Sequence, residues 1–454
     1  MSELIISVSG LRGIIGETLT PEIVIRYATA FSAETTTPGP FVITRDGRPT
    51  GAMLAFAIHA GLKAVGRDTI DAGVAATPTT GVLTRELKAA GGIQISASHN
   101  PSEYNGIKLF SAEGRVIPQA LGAAVLERYK QNQTNWVPHN QVGKDDVYLF
   151  EIDAHLEKVL QTVDVEAIRK RKFKVLLDSN RGAGSLLGKA LLKELGCEIA
   201  LLGGEPDGLF EHVPEPTAEN LLPVLEKVKN ARVDVGFCQD PDADRLAVID
   251  QNGCYIGEEY TVALCVKHVL QRRTKGPIVV NSSSSRMTQD IAEHYGVPLF
   301  RSPVGEANVV DLMLEKGAKF GGEGNGGPID PEVGLVRDSF VGMAQILDAM
   351  CLRNKTIAEL ADELPRYEIV KQKITLPPGT TADKIRAMLR DLEKNFSDQK
   401  CDRQDGLRID WPQAWVQVRG SNTEPILRII AEAKTEAEAI VLCEKVRINL
   451  EISQ

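Results

Sequence analysis

Little in this sequence points to nucleic acid, a membrane or an oxidising compartment. The formal net charge is −9 over 454 residues, whereas phosphate backbones are gripped by clustered Lys and Arg. Nucleic acid is therefore excluded as the main partner, and any phosphate must be met in a local basic pocket. No apolar run reaches the about 18 residues a membrane helix takes, and Met1-Ser2-Glu3-Leu4-Ile5 is no basic region ahead of an apolar core. No membrane partner and a cytoplasmic location are expected. The seven cysteines (Cys197, Cys238, Cys254, Cys265, Cys351, Cys401 and Cys443) include no Cys-x-x-Cys pair. An odd, scattered set gives neither zinc spacing nor a disulfide framework, so most are expected to be small buried apolar residues. Low-complexity segments are missing as well.

What remains is 43% hydrophobic and 25% charged, the balance of a soluble globular chain. Its length calls for roughly two to four domains rather than one core. Three segments share one order of elements. The first runs from a strand at 41–44, ending in Arg45-Asp46-Gly47-Arg48, through a helical stretch reaching Gly61 and a strand ending at Ala76-Thr77-Pro78. Another helix then leads to a strand that ends at Ser98. The second has strands at 173–177, 198–202 and 233–238 with helices at 184–196 and 218–230, and releases Asp240. The third has strands at 277–280, 297–300 and 319–320 with helices at 287–295 and 306–316, and releases Glu323.

Such βαβαβ alternation implies mostly parallel sheets, which keep their ligand chemistry at the carboxyl ends of the strands. The simplest arrangement aims Ser98, Asp240 and Glu323 at one cleft, although βαβ units are common enough for the likeness to be fold grammar alone. Past Arg366 the order becomes strand, helix (381–396), two strands, a loop, strand (426–433) and helix (436–448). Pro377-Pro378-Gly379 breaks the first of these strands, and 366–370 reads as a linker. The expected fold is α/β: three βαβαβ mixed-sheet domains at 1–150, 151–255 and 256–366, and a C-terminal α+β domain at 367–454, around a central cleft.

Chemistry concentrates in a few loops. In Gly91-Gly92-Ile93-Gln94-Ile95-Ser96-Ala97-Ser98-His99-Asn100-Pro101 a strand gives way to a tight turn, because Pro101 forbids helix and biases Asn100 toward extended backbone. Ser98 is thereby held at the lip of a sheet, with His99 beside it and Lys108 ten residues on. Such a serine could be an acyl-transfer nucleophile or a phosphate carrier. Acyl transfer wants a triad or a Gly-x-Ser-x-Gly elbow, which Ser98 lacks. A phosphate carrier wants a divalent cation and several cationic donors.

Both are available elsewhere. Asp240-Pro241-Asp242-Ala243-Asp244-Arg245 puts carboxylates at every second position of a proline-stiffened turn, where they repel one another unless they share a hard cation. A calcium EF-hand is ruled out by Arg245 and Gln251 at its sixth and twelfth positions, which leaves Mg²⁺ with open sites for phosphate oxygen. Arg419-Gly420-Ser421-Asn422-Thr423-Glu424-Pro425 with Arg428 offers two guanidiniums, two hydroxyls and an amide, the donor set for a phosphate held without reacting. Gly321-Gly322-Glu323-Gly324-Asn325-Gly326-Gly327 permits close approach of a ligand to backbone, with Glu323 and Asn325 able to read hydroxyls; a flexible loop is the competing reading. Ser7-Val8-Ser9-Gly10-Leu11-Arg12-Gly13 adds an Arg between glycines.

In this order the loops resemble those of the α-D-phosphohexomutase family, which includes phosphoglucomutases, phosphomannomutases and phosphoglucosamine mutases. The likeness spans essentially the whole chain and rests on the 97–101, 240–245, 322–326 and 419–425 motifs. It implies four domains around a central cleft, Ser98 carried as phosphoserine, and Mg²⁺ held by Asp240, Asp242, Asp244 and the Ser98 phosphate. Arg12, His99, Lys108 and Arg245 would line the reacting centre, with Lys108 ahead of His99 as proton shuttle. Gly305, Glu323 and Asn325 would face the sugar, while Arg419, Ser421, Asn422, Thr423 and Arg428 would grip the idle phosphate. The implied reaction interconverts hexose 6-phosphate and 1-phosphate through a sugar bisphosphate that turns over in the cleft, with hinge motion after about residue 367.

Two departures bear on the substrate. Many members carry Gly-Glu-x-Ser-Gly-His in the sugar loop, where this chain has Asn325 for Ser and Gly327 for His; their N-terminal Gly-Thr-Asp-Gly-Ile-Arg-Gly is here 7–13. The Ser96-to-Pro101 form followed by Asn105-Gly106-Ile107-Lys108 looks like the phosphoglucosamine mutases, so glucosamine phosphate is expected, with glucose or mannose phosphate as the alternative. Rival readings are a phosphosugar-binding protein without turnover and a metal-dependent phosphatase. The chain is expected to act as a monomer or homodimer.

Overall fold

The computed structural model describes residues 4–7, 10–273, 275–377, 379–420 and 426–450. Its strands form four sheets, and three of them repeat one plan. In the first repeat, parallel strands Phe41–Arg45, Thr69–Val74 and Gly91–Ile95 alternate with helices Gly51–Ala64 and Thr77–Glu86. In the second, Lys174–Asp178, Glu198–Leu202 and Val235–Gln239 alternate with Gly184–Glu194 and Leu222–Ala231. In the third, Ile278–Asn281, Leu299–Ser302 and Phe320–Glu323 alternate with Met287–Tyr295 and Glu306–Lys316. Central strands such as Gly91–Ile95 and Val235–Gln239 are buried at every position, as parallel strands covered on both faces must be.

Each repeat then adds a strand beyond the βαβαβ plan. The third parallel strand turns back into an antiparallel neighbour: Tyr104–Ser111, Leu246–Asp250 and Gly327–Ile329. All three sheets therefore order their strands as return, third, first, second. The consequence for the site is direct, because Ser98, the aspartates and the glycine-rich segment all occupy equivalent hairpin turns. The first sheet is extended further by Ile5–Ser7, Gly10–Ile14 and Asp145–Val147 to seven strands.

Other differences are local. Thr77-Pro78 opens a helix rather than ending a strand, since proline suits a first helical turn. The strand Glu368–Thr375 begins inside the expected linker, and the tail sheet has five antiparallel strands, one more than read, because Lys400–Asp402 is only three residues long. Cys238, Cys265 and Cys443 are buried, Cys197, Cys351 and Cys401 are half-buried, and Cys254 is exposed; all are free. Among the described residues no helix is long and apolar enough to cross a membrane.

The cores show which parts are packed together. A single apolar cluster joins the second and third sheets, running from Leu177 and Phe237 to Val280, Phe320 and Phe340. The first sheet and the tail sheet each have a separate core, around Phe31 and Phe41 and around Val416 and Ile429 respectively. Between the third sheet and the tail sheet lie polar contacts: Gln417 Nε2 to Ser282 Oγ at 2.8 Å and Arg286 N to Glu432 Oε1 at 2.8 Å.

Candidate active site

Ser98 sits at the first hairpin turn with φ +52°, in the left-handed region that non-glycine residues seldom adopt. Such a conformation persists only when its surroundings fix it. Here the fixing group is Arg48, which the sequence reading passed over. Its buried guanidinium bonds Asp46 at 3.1 Å and donates to the carbonyls of Ser98 (2.9 Å), Asn100 (2.6 Å), Pro101 (2.6 Å) and Tyr104 (2.9 Å). Asp46 also accepts from Ser96 Oγ at 2.7 Å, and Ser96 Oγ from Ser98 N at 2.8 Å. One ion pair thus organises the whole turn.

The Ser98 hydroxyl is directed onto the second hairpin turn, donating to Asp240 Oδ2 at 3.1 Å, with His99 Nδ1 at 3.3 Å on its other side. Asp240, Asp242 and Asp244 are buried, and their ligand atoms lie within 4.8 Å of one another. Burial and then its two neighbours push the Asp240 carboxyl well above the ordinary range. Burial raises Asp244 too, but Arg337 and then Lys108 outweigh it, and Asp242 is held low by Lys108 against the same burial. Lys108 Nζ reaches Asp242 Oδ2 at 2.5 Å and Asp244 Oδ2 at 2.9 Å. Even so, Asp242 Oδ1 and Asp244 Oδ1 are buried and accept no hydrogen bond among the described residues. Three clustered carboxylates with two buried oxygens that accept no hydrogen bond fit a hard divalent cation.

Around this centre, Arg12 Nη1 donates to Asn100 Oδ1 at 3.2 Å. Arg245 donates its backbone N–H to Asp240 Oδ1 at 3.1 Å and turns its side chain to Glu215, 3.5 Å away. Burial, then Arg245 and Arg12, lower the pKa of His99 to about 3, so its imidazole is neutral; Glu215 lies 3.9 Å from its Nε2. Thr77, at the start of its helix, donates to Asp242 Oδ2 at 2.5 Å. Glu215 and Thr77 were not singled out from sequence.

The glycine-rich segment is a closed hairpin tip, not a loose loop: Glu323 pairs with Gly327, and Leu246 N bonds Gly326 O at 2.8 Å. Glu323 is buried, with Oε1 accepting from Asn281 Nδ2 (2.8 Å) and Gly305 N (3.0 Å) and Oε2 from Arg337 Nη1 (2.9 Å). Arg337 Nη2 meanwhile bonds Asp244 Oδ2 at 2.6 Å, linking the second and third turns. Asn325 Oδ1 is buried without a partner among the described residues.

Arg419 and Arg428 face each other across neighbouring strands of the tail sheet, and the Nε of each is buried without a hydrogen bond. Like charges directly opposite repel, so the pair is suited to an anion between them. Ser421, Asn422 and Thr423 lie outside the described residues. Arg419 touches the rest of the site through Asp405, whose Oδ2 accepts from Arg419 Nη1 (3.3 Å) and from Val304 N (3.0 Å), next to Gly305. Ser98, His99, Lys108, the aspartates, Arg245, Gly305 and Glu323 are thus joined by direct contacts, whereas Arg419 and Arg428 stand apart on their own sheet.

Models of the phosphoglucomutase/phosphomannomutase family match in chain order: alpha/beta/alpha domain I over 4–136, domain II over 153–253, domain III over 258–367 and the C-terminal domain over 373–448. A phosphoglucomutase/phosphomannomutase of Thermococcus kodakarensis is 39% identical over 95% of this chain and 94% of its own. A phosphoglucosamine/phosphogalactosamine mutase of Sulfurisphaera tokodaii is 32% identical over 94% of each. The crystal structure of a phosphoglucomutase/phosphomannomutase family protein from Burkholderia thailandensis superposes with TM-score 0.85 at 26% identity over 98% of each chain. The chain belongs to the phosphoglucomutase/phosphomannomutase family of α-D-phosphohexomutases.

Proposed function

We propose that this chain interconverts hexose 6-phosphate and hexose 1-phosphate, with Ser98 as phosphoryl carrier and glucosamine phosphate as the preferred substrate. The observation that carries the reading is the Ser98 hydroxyl 3.1 Å from Asp240, within a cluster of three buried aspartates. Asp240, Asp242 and Asp244 would hold Mg²⁺, which supplies charge neutralisation at the transferring phosphoryl group. In each half-reaction the O–P bond to the donor oxygen breaks as one to the acceptor oxygen forms, first from Ser98 Oγ to a sugar hydroxyl, then from the other sugar position back to Ser98. The acceptor proton passes to a chain base. His99 is neutral and beside the hydroxyl, whereas Lys108 becomes available only when released from Asp242 and Asp244.

Ser98 is 1% exposed here, so a sugar reaches it only when the side chains around it rearrange. Arg12 and Arg245 offset developing negative charge. Gly305, Glu323 and Asn325 orient the sugar, and Arg419 and Arg428, with Ser421, Asn422 and Thr423, hold the idle phosphate. Four units at 1–150, 151–255, 256–366 and 367–454 frame the cleft in a cytoplasmic monomer or homodimer. The 39% identical relative named phosphoglucomutase/phosphomannomutase supports glucose or mannose phosphate as a second reading.

The test is a panel of glucosamine, glucose and mannose 6-phosphates with Mg²⁺ and a trace of the matching sugar bisphosphate. Glucosamine 6-phosphate is expected to turn over fastest, chelation of Mg²⁺ to stop turnover, and Ser98→Ala to abolish it. Stoichiometric release of inorganic phosphate would instead point to a phosphatase, and wild-type rates in Ser98→Ala would remove Ser98 from the carrier role.

A further inference from the structure

We propose that Arg337 is a positioning residue that makes binding of the divalent cation and binding of the phosphosugar strengthen one another. The inference rests on the reading of the site given above and adds a residue that neither loop motif contains. Arg337 is buried where the second and third hairpin turns meet, and its two terminal nitrogens serve different turns: Nη2 bonds Asp244 Oδ2 at 2.6 Å and Nη1 bonds Glu323 Oε2 at 2.9 Å. No other side chain joins the aspartate cluster to Glu323 directly among the described contacts.

Its place is built, not incidental. The Arg337 backbone N–H donates to Glu306 Oε1 at 2.7 Å, and the next residue, Asp338, bonds Pro328 O and caps the helix Ser339–Arg353. Beneath the side chain lies Gly327, where a Cβ would fall 2.4 Å from Arg337 Cδ. The space above Gly327 is thus filled by Arg337.

The coupling follows from charge. Arg337 and a dication both seek Asp244, so loading the cation favours an arrangement in which the guanidinium leaves Asp244 and serves Glu323 and the cleft. A dianionic sugar phosphate in the cleft favours that same arrangement. Two ligands that prefer one state bind cooperatively, and the effect is reciprocal. Arg337 Nε, buried with no hydrogen bond and 3.6 Å from Glu306 Oε2, is a donor available for the rearranged state.

Mn²⁺ is the probe. Its dissociation constant, read from the free-ion electron paramagnetic resonance signal against a protein-free control, is measured on the full chain with and without saturating glucosamine 6-phosphate, with glucose 6-phosphate as a parallel arm. In wild type the sugar phosphate is expected to tighten Mn²⁺ at least about fivefold. Arg337→Gln is expected to tighten Mn²⁺ in the absence of sugar, because a competing cation is gone, and to bring the ratio close to one. Gly327→Ala keeps the charge but crowds Cδ, and is expected to give an intermediate ratio; it decides the matter alone if Arg337→Gln does not fold. A wild-type ratio of one, or variants that keep the wild-type ratio, overturn the coupling. Mn²⁺ binding that survives Asp240→Asn and Asp244→Asn unchanged overturns the underlying reading of the site instead.

Discussion

Arg48 fixes the turn that carries Ser98 without touching the serine's hydroxyl. Four carbonyls of the turn and the Asp46 carboxylate converge on its guanidinium, and the ring of Phe210 lies 4.9 Å from it. Removing one partner of such a buried pair costs about 3–5 kcal/mol. A displacement of about 1 Å at a reacting group can cost about a hundredfold in rate. Arg48→Met is therefore expected to lower both the melting temperature and turnover, the latter by about a hundredfold, and wild-type turnover in a folded variant would contradict the role. A second residue-scale test concerns pH. Burial opposes the charge on His212, but Asp178 Oδ2 at 2.8 Å and the Val213 carbonyl raise its pKa above the ordinary value. A raised histidine pKa contributes stability that is full below the ordinary value of about 6.5 and is lost as pH rises through the folded value. His212→Gln should thus cost more melting temperature near pH 5.5 than near pH 9, and equal losses would remove the charged pair from the account. Neither residue was legible beforehand, because their partners are distant: Arg48 lies 53 residues from Pro101, and His212 lies 34 from Asp178.

At the scale of elements, the recurring unit is a hairpin turn at the end of a parallel strand. The loops themselves were legible, since aspartates at every second position and paired arginines concentrate charge that a plain turn does not need. The return strands were not. Gly327–Ile329 has three residues with a central Pro328, which reads as a turn, and Asn105-Gly106 interrupts the start of Tyr104–Ser111. Only in Leu246–Asp250 does an unbroken apolar run announce a strand. The tightness of these hairpins is testable at Gly326, which has φ +81° and where a Cβ would come within 2.5 Å of Leu246 O. Gly326→Ala combines backbone strain with a steric clash, each of about 1–3 kcal/mol. It is expected to lower the melting temperature by several degrees; an unchanged value would mean the third turn is looser than described.

For the whole molecule, the division of cores is what matters. The second and third sheets share one apolar cluster, so they cannot move apart without exposing it, whereas the tail sheet meets the third through hydrogen bonds of Glu432, Gln417 and Asp405. Polar interfaces of this kind exchange their bonds with water at small net cost, which suits the hold and release of one phosphate proposed for this unit. Small-angle scattering is expected to show a smaller radius of gyration with a sugar bisphosphate than without, and superimposable profiles would count against closure. The central claim is that one hydroxyl carries the phosphoryl group. It is tested most directly by peptide mapping and mass spectrometry of the protein after incubation with Mg²⁺ and a hexose 1,6-bisphosphate. The account predicts a single phosphoryl group on Ser98; a phosphoryl group on another residue, or an enzyme that turns over while none is found on Ser98, would contradict it.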